Sequence, residues 1–164
     1  MKSILLAAFI GAFCATSALA LDAPKGPVIL TVKGAIKNTN AGDTAEFDLA
    51  MLEALAGRKA TMETPWTDGQ VTFEGPLLSA LLEAVGSTGS VLSVRALNDY
   101  AAEVPAEDAK LATILATRID GKLMSVRDKG PLMVVYPFDQ NPDLYNEKYF
   151  SRSVWQIKEI EVGK

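Results

Sequence analysis

The chain has 164 residues, 16 of them Lys or Arg and 20 Asp or Glu, for a net charge of −4, and it carries no histidine and one cysteine, Cys14. With 49% hydrophobic and 22% charged residues, the composition is that of an ordinary globular protein and not of a disordered one. The acidic balance leaves nucleic-acid binding without its electrostatic footprint, and the lack of histidine excludes Ser-His-Asp and Cys-His catalysis.

Residues 1–20 read as a cleavable Sec-type signal peptide. Lys2 supplies the positive end, Ile4 to Phe13 are apolar apart from one glycine, and Ala18-Leu19-Ala20 fits the small-x-small rule, with cleavage expected before Leu21. The apolar run is too short to span roughly 30 Å of hydrocarbon, so a membrane-embedded chain is not expected. Cys14 follows Phe13 rather than a small residue, which argues against lipidation. Processing removes Lys2 and takes the charge to about −5. It also removes Cys14, and with it any disulfide, Cys/His zinc site, haem ligation or iron–sulfur cluster. The expected product is periplasmic, with a linker over 21–27 and one domain over 28–163.

Within that domain, Val28 to Val32 reads as a β-branched strand ending at Gly34. Ala45 to Asp48 is a second short strand, and Asp48 is also placed to cap a helix carrying Leu49, Leu52 and Leu55, with Gly57 past its end. A strand over Ala60 to Thr64 leads into a loop, Pro65 to Gly69. Val71 to Phe73 then precedes a helix with Pro76 in its first turn and the stripe Leu77, Leu78, Leu81, Leu82, Val85. Val91 to Ala96 and Tyr100 to Val104 form a strand pair about the turn Asn98-Asp99. Pro105, Glu107 and Asp108 begin one helical turn with acid at its amino end. Ala112 to Ile119 is strand-like, Asp120-Gly121 signals a hairpin, and Leu132 to Tyr136 is an apolar strand stopped by Pro137. Phe138 to Ser151 is a long polar and aromatic segment. Val154, Gln156, Lys158, Ile160 and Val162 point one way in the last strand by alternation. Many strands with few short helices predict a single α+β domain built on mixed β-sheet.

Three groups of residues bear on chemistry. Asp139-x-Asn141-x-Asp143 begins like a calcium loop, but Leu144 and Phe150 stand where glycine and a bidentate Glu are needed, so no metal site is expected. Glu103, Glu107 and Asp108 read as surface charges near a helix start, and no catalytic residues are assigned. Aromatic and guanidinium side chains recur where planar or anionic ligands are held. The ligand-binding candidates are therefore Trp66, Asn98, Tyr100, Arg118, Tyr149 and Arg152, with the loop around Tyr145 and Tyr149 as a cover. Trp155 reads as core or pocket wall, and Arg118 must reach water, a carboxylate or a ligand.

From about Val71 onward the chain resembles the molybdopterin-binding domain of the sulfite oxidase family. The resemblance is carried by Phe73-Glu74-Gly75-Pro76-Leu77-Leu78-Ser79-Ala80-Leu81-Leu82, Asn98-Asp99-Tyr100, Pro105 to Ala109, Leu115 to Gly121, Gly130 to Pro137 and Arg152-Ser153-Val154-Trp155. It implies that fold. In the catalytic members a cysteine thiolate ligates molybdenum on the segment equivalent to Thr61-Met62-Glu63-Thr64-Pro65-Trp66, which has no cysteine here. Met133 stands where an arginine is usual, and the family's pterin-holding histidines have no counterpart. A carboxylate such as Glu63 is a hard ligand and a poor substitute for thiolate. The family's enzymes leave the cytoplasm folded and loaded through a twin-arginine signal, whereas this signal has Lys2 and no arginine pair. The expectation is an exported, non-catalytic relative without a cofactor. It would bind a small anionic or planar ligand, or a membrane-bound sensor partner. The alternatives are an oxidoreductase that holds molybdopterin without a protein thiolate, and a structural partner in a periplasmic complex.

Overall fold

A computed structural model describes residues 21–164; the signal peptide read from residues 1–20 lies outside the described residues. The chain opens with β1 (Val28–Gly34) and β2 (Ala45–Asp48), followed by α1 (Leu49–Glu53). Next come β3 (Gly57–Glu63), β4 (Gln70–Pro76), α2 (Leu78–Ala84), β5 (Val91–Ala96) and β6 (Ala101–Pro105). A 3-10 turn over Ala106–Leu111 leads to β7 (Ile114–Ala116), β8 (Arg118–Ile119), β9 (Lys122–Leu123) and β10 (Met133–Val135). A second 3-10 turn (Pro142–Leu144), α3 (Glu147–Phe150) and β11 (Ile157–Gly163) complete it. The protein is thus a mixed α+β domain with several sheets and short helices, as its pattern predicted.

The largest sheet has the order β2-β1-β11-β5-β6, so the last strand lies in its centre. β11 runs parallel to β1, with Val32 opposite Ile160, and antiparallel to β5, with Ile160 opposite Val94 and Val162 opposite Leu92. These registers line up Val32, Ile160, Val162, Val94 and Leu92 on one buried face, and Leu78 and Leu81 of α2, with its C-cap Val85, belong to the same core. A four-stranded sheet, β3-β4-β8-β9, contacts the buried two-stranded ribbon β7-β10 through β4 and β7. Gly75 permits that junction. A Cβ there would lie 2.1 Å from the Leu115 carbonyl oxygen and 2.9 Å from Ala116 Cα, so only glycine lets β4 approach β7.

Several boundaries differ from expectation for local reasons. Asp48 does cap α1, accepting from the Met51 N–H at 2.9 Å, but the helix ends at Glu53 and Gly57 begins β3. Pro76 closes β4 rather than opening α2, because its strand partner is Gly57. The apparent strand 112–119 is interrupted at both places where the backbone changes use. Ala112 is left-handed (φ 63°), and Thr117 turns aside to donate its N–H to the Glu74 carbonyl at 2.9 Å. Asp120 and Gly121 form the expected hairpin, both at positive φ. The alternation over 154–162 breaks at Gln156, whose φ of 54° and the adjacent register shift reset the strand so that Ile157 is buried instead. Residues 21–27, read as a linker, are tied down. Asn40 donates to the Asp22 carbonyl at 2.7 Å, and the Lys25 and Gly26 N–H groups both donate to Asp48 Oδ2 at 2.8 Å. Among the described residues no helix is long and apolar enough to cross a membrane.

Candidate functional site: an aromatic cavity

Three loops meet beside the end of the central sheet. Thr64-Pro65-Trp66-Thr67 is a β-turn closed by the Thr67 N–H to the Thr64 carbonyl, with proline at the position whose φ it pre-sets. It projects Trp66. The β5–β6 turn supplies Asn98 and Tyr100, fixed by the Asn98 carboxamide oxygen accepting from the Tyr100 N–H at 3.1 Å. The segment after α3 supplies Trp155 and Gln156, held by a bridge of Trp155 to Met133 and by Gln156 Nε2 donating to the Val126 carbonyl at 2.6 Å. Between these loops lies a cavity of about 410 Å³, whose remaining wall includes Glu147 and Phe150. That volume falls in the range of small-molecule sites.

The chain has only two tryptophans, and both line this cavity. Their ring centroids are 5.8 Å apart at 66°, and Trp66 makes a second edge-on contact with Phe150 at 5.8 Å. Edge-to-face geometry is the favourable arrangement for neighbouring π-systems, and it holds the rings as a rigid corner. Tyr100 and Trp155 remain 54% and 38% exposed, which leaves part of their ring surfaces available. Glu147 is the one charged side chain in the lining, which contains no Lys or Arg.

Of the six residues expected to bind ligand, the structure gathers Trp66, Asn98 and Tyr100 around this cavity. The other three lie elsewhere. Arg118 sits on β8 and forks onto Glu53, its Nε at 2.8 Å from Oε1 and its Nη2 at 3.3 Å from Oε2. Hydrogen bonding from that guanidinium, ahead of burial, sets the Glu53 carboxyl below its ordinary range. The depression beside it also holds Lys59 with Glu74, so its cations already face carboxylates. Arg152 donates to Asp108 Oδ2 at 2.9 Å, where the Tyr136 hydroxyl also donates at 2.7 Å. Asp108, read as a surface charge, is instead 5% exposed and serves as the buried acceptor of this pair. Burial, and then the neighbouring carboxylate, push the Tyr136 phenol well above its usual value, so it stays protonated as the donor. Tyr149 packs edge-on against Tyr136 at 4.9 Å rather than covering the cavity.

Sequence reading did not assign Glu147, Phe150 or Gln156 to the site. Glu147 and Phe150 are three residues apart on α3 and therefore share its cavity face, while Tyr149 takes another. That spacing is a readable signal once α3 is known to exist. Asp139, from the calcium-like run, pairs with Arg58, and Asn141 caps the 3-10 turn by accepting from the Asp143 N–H. No group of three or more potential metal-ligating His, Cys, Asp or Glu side chains occurs among the described residues.

No family model matches this sequence, and no curated protein matches it. Among solved structures, the chain is similar to the sulfane dehydrogenase SoxCD from Paracoccus pantotrophus, with 16% identity and a TM-score of 0.61. The match covers 82% of this chain and 37% of that one, so the chain spans well under half the length of the protein it resembles. At this identity the likeness is one of fold. The domain is a mixed α+β, sulfite-oxidase-like fold, related to that structure only distantly.

Proposed function

We propose that this protein is an exported, non-catalytic binding or accessory protein that holds a small planar ligand in the aromatic cavity, alone or for presentation to a membrane-bound sensor partner. The observation that carries the reading is the concentration of both tryptophans, with Phe150 and Tyr100, around about 410 Å³ of space. Concave, largely apolar sites with a few placed polar groups are where small ligands bind. Function resides in such a site and not in the fold around it.

The residues present do not fit molybdopterin, the group the resemblance implies. A pterin phosphate calls for Arg or Lys, and the lining offers only the like-charged Glu147. Molybdenum in this family takes a thiolate, and residues 61–66, the segment that carries it there, contain none; their Thr64 hydroxyl is within hydrogen-bonding distance of Thr67 Oγ1, at 3.0 Å. The signal read from residues 1–20 supports delivery of an empty chain to the periplasm.

The test is to purify the protein from the periplasm of its own host and measure metal content, pterin fluorescence after denaturation, and retained small molecules by native mass spectrometry. The expected result is no stoichiometric molybdenum or pterin, with a retained small molecule that Trp155→Ala releases. Stoichiometric molybdenum with pterin would overturn the reading in favour of an oxidoreductase.

A further inference from the structure

We infer that the ligand of the aromatic cavity is a planar cation, an amidinium or an N-heteroaromatic ion, and not an anion. The inference rests on the proposal that this cavity is the binding site, and it adds the charge class. Trp66 and Trp155 present the ring type that attracts cations most strongly, because the indole quadrupole places negative potential on the ring face. Glu147 lines the same cavity, and its carboxylate takes no part in the Lys and Arg pairs found among the described residues. The two arginines that would suit an anion are held away, Arg118 by Glu53 and Arg152 by Asp108.

The cations nearest Glu147 in sequence lie outside the cavity wall. Lys148, next in sequence, lies over the Tyr149 ring at 5.0 Å, and Arg152 is 5.7 Å from that same ring. Neither belongs to the cavity wall. Of the two amides in the wall, Gln156 is the one that offers a cation an acceptor. Gln156 uses its Nε2 on the Val126 carbonyl and Asn98 uses its Oδ1 on the Tyr100 N–H. Gln156 therefore retains its carbonyl oxygen to accept a ligand N–H, while Asn98 retains both N–H donors of its amide. An entering anion would meet a carboxylate in a wall that contains no Lys or Arg. An entering planar cation would gain ring faces, a carboxylate and an acceptor at once.

Because both tryptophans line the cavity, tryptophan fluorescence of the folded protein reports on this site. The experiment titrates the purified protein with three bicyclic probes of similar size, 1-methylquinolinium, neutral quinoline and 1-naphthoate, by tryptophan quenching with calorimetry in parallel. The cation is expected to bind about tenfold tighter than 1-naphthoate, the combined effect of ring-face attraction and one exposed carboxylate. Glu147→Gln should reduce that preference about threefold while leaving quinoline unchanged, and Trp155→Ala should weaken all three. Equal binding of the three probes, or preference for 1-naphthoate, would overturn the charge class and leave the cavity reading standing. Failure of every probe to bind in both measurements would overturn the cavity reading as well.

Discussion

Asp108 accepts from the Tyr136 hydroxyl and the Arg152 guanidinium in a setting that is almost closed to water. A buried carboxylate is tolerated when its oxygens are satisfied, and removing one partner exposes the cost of its desolvation. Arg152→Ala should therefore lower stability by about 2–3 kcal/mol in chemical denaturation, with probe affinity at the cavity unchanged. A loss of affinity without a loss of stability would return Arg152 to the binding site. The Arg118–Glu53 pair makes a second prediction. Glu53 has a lower pKa folded than unfolded, so the stability it contributes is complete above the unfolded value. It is lost as pH falls through the folded one. Both side chains are about one-third exposed, so after solvent screening the effect is under about 1 kcal/mol. Urea midpoints measured from pH 6 down to pH 2.5 should fall less in Arg118→Met than in the unaltered protein. An identical acid slope in both would show that the pair contributes nothing.

At the scale of elements, the Gly75 contact decides whether the two sheets meet. The sequence run Phe73-Glu74-Gly75-Pro76-Leu77 has a physical meaning here. Phe73 enters the core, Gly75 lets the β4 backbone touch that of β7, and Pro76 ends the strand so that α2 can start at Leu78 with Leu77 as its N-cap. Gly75→Ala should cost about 2–3 kcal/mol, since the obstructing atoms are backbone and have nowhere to move. Gly26→Ala is the control, because its added Cβ would approach nothing closer than 3.5 Å and should change stability by less than about 1 kcal/mol. Comparable losses in the two variants would show that β4 and β7 can separate at little cost. α3 shows a similar economy of placement: one short helix turns Glu147 and Phe150 toward the cavity and Tyr149 toward Tyr136.

For the whole molecule, the important topological fact is that β11 fills the gap between β1 and β5. Until it is in place the five-stranded sheet is two unconnected pairs, and Ile157, Ile160 and Val162 are missing from the core. A chain ending at Gln156 should show no cooperative unfolding transition by circular dichroism or tryptophan emission. A cooperative transition in that truncated chain would mean that β1 and β5 can support the fold without it.

Composition and pattern alone determined the α+β class, most strand positions, the cap at Asp48 and the hairpin at Asp120-Gly121, because each rests on local backbone preference or on hydrophobic period. They also removed histidine and cysteine chemistry from the domain outright. Element ends such as Pro76 and Gln156 were not legible, since a strand partner or a reset of register decides them. The candidate site divided in the same way. Aromatic side chains marked Trp66 and Tyr100, but whether an arginine faces a ligand or a carboxylate depends on where distant elements carry their acids. Glu53 is 65 residues from Arg118 in sequence and Asp108 is 44 from Arg152, and only the tertiary structure brings each pair together. That pairing leaves Glu147 as the lone charge in the cavity wall and so decides the sign of the ligand proposed for it.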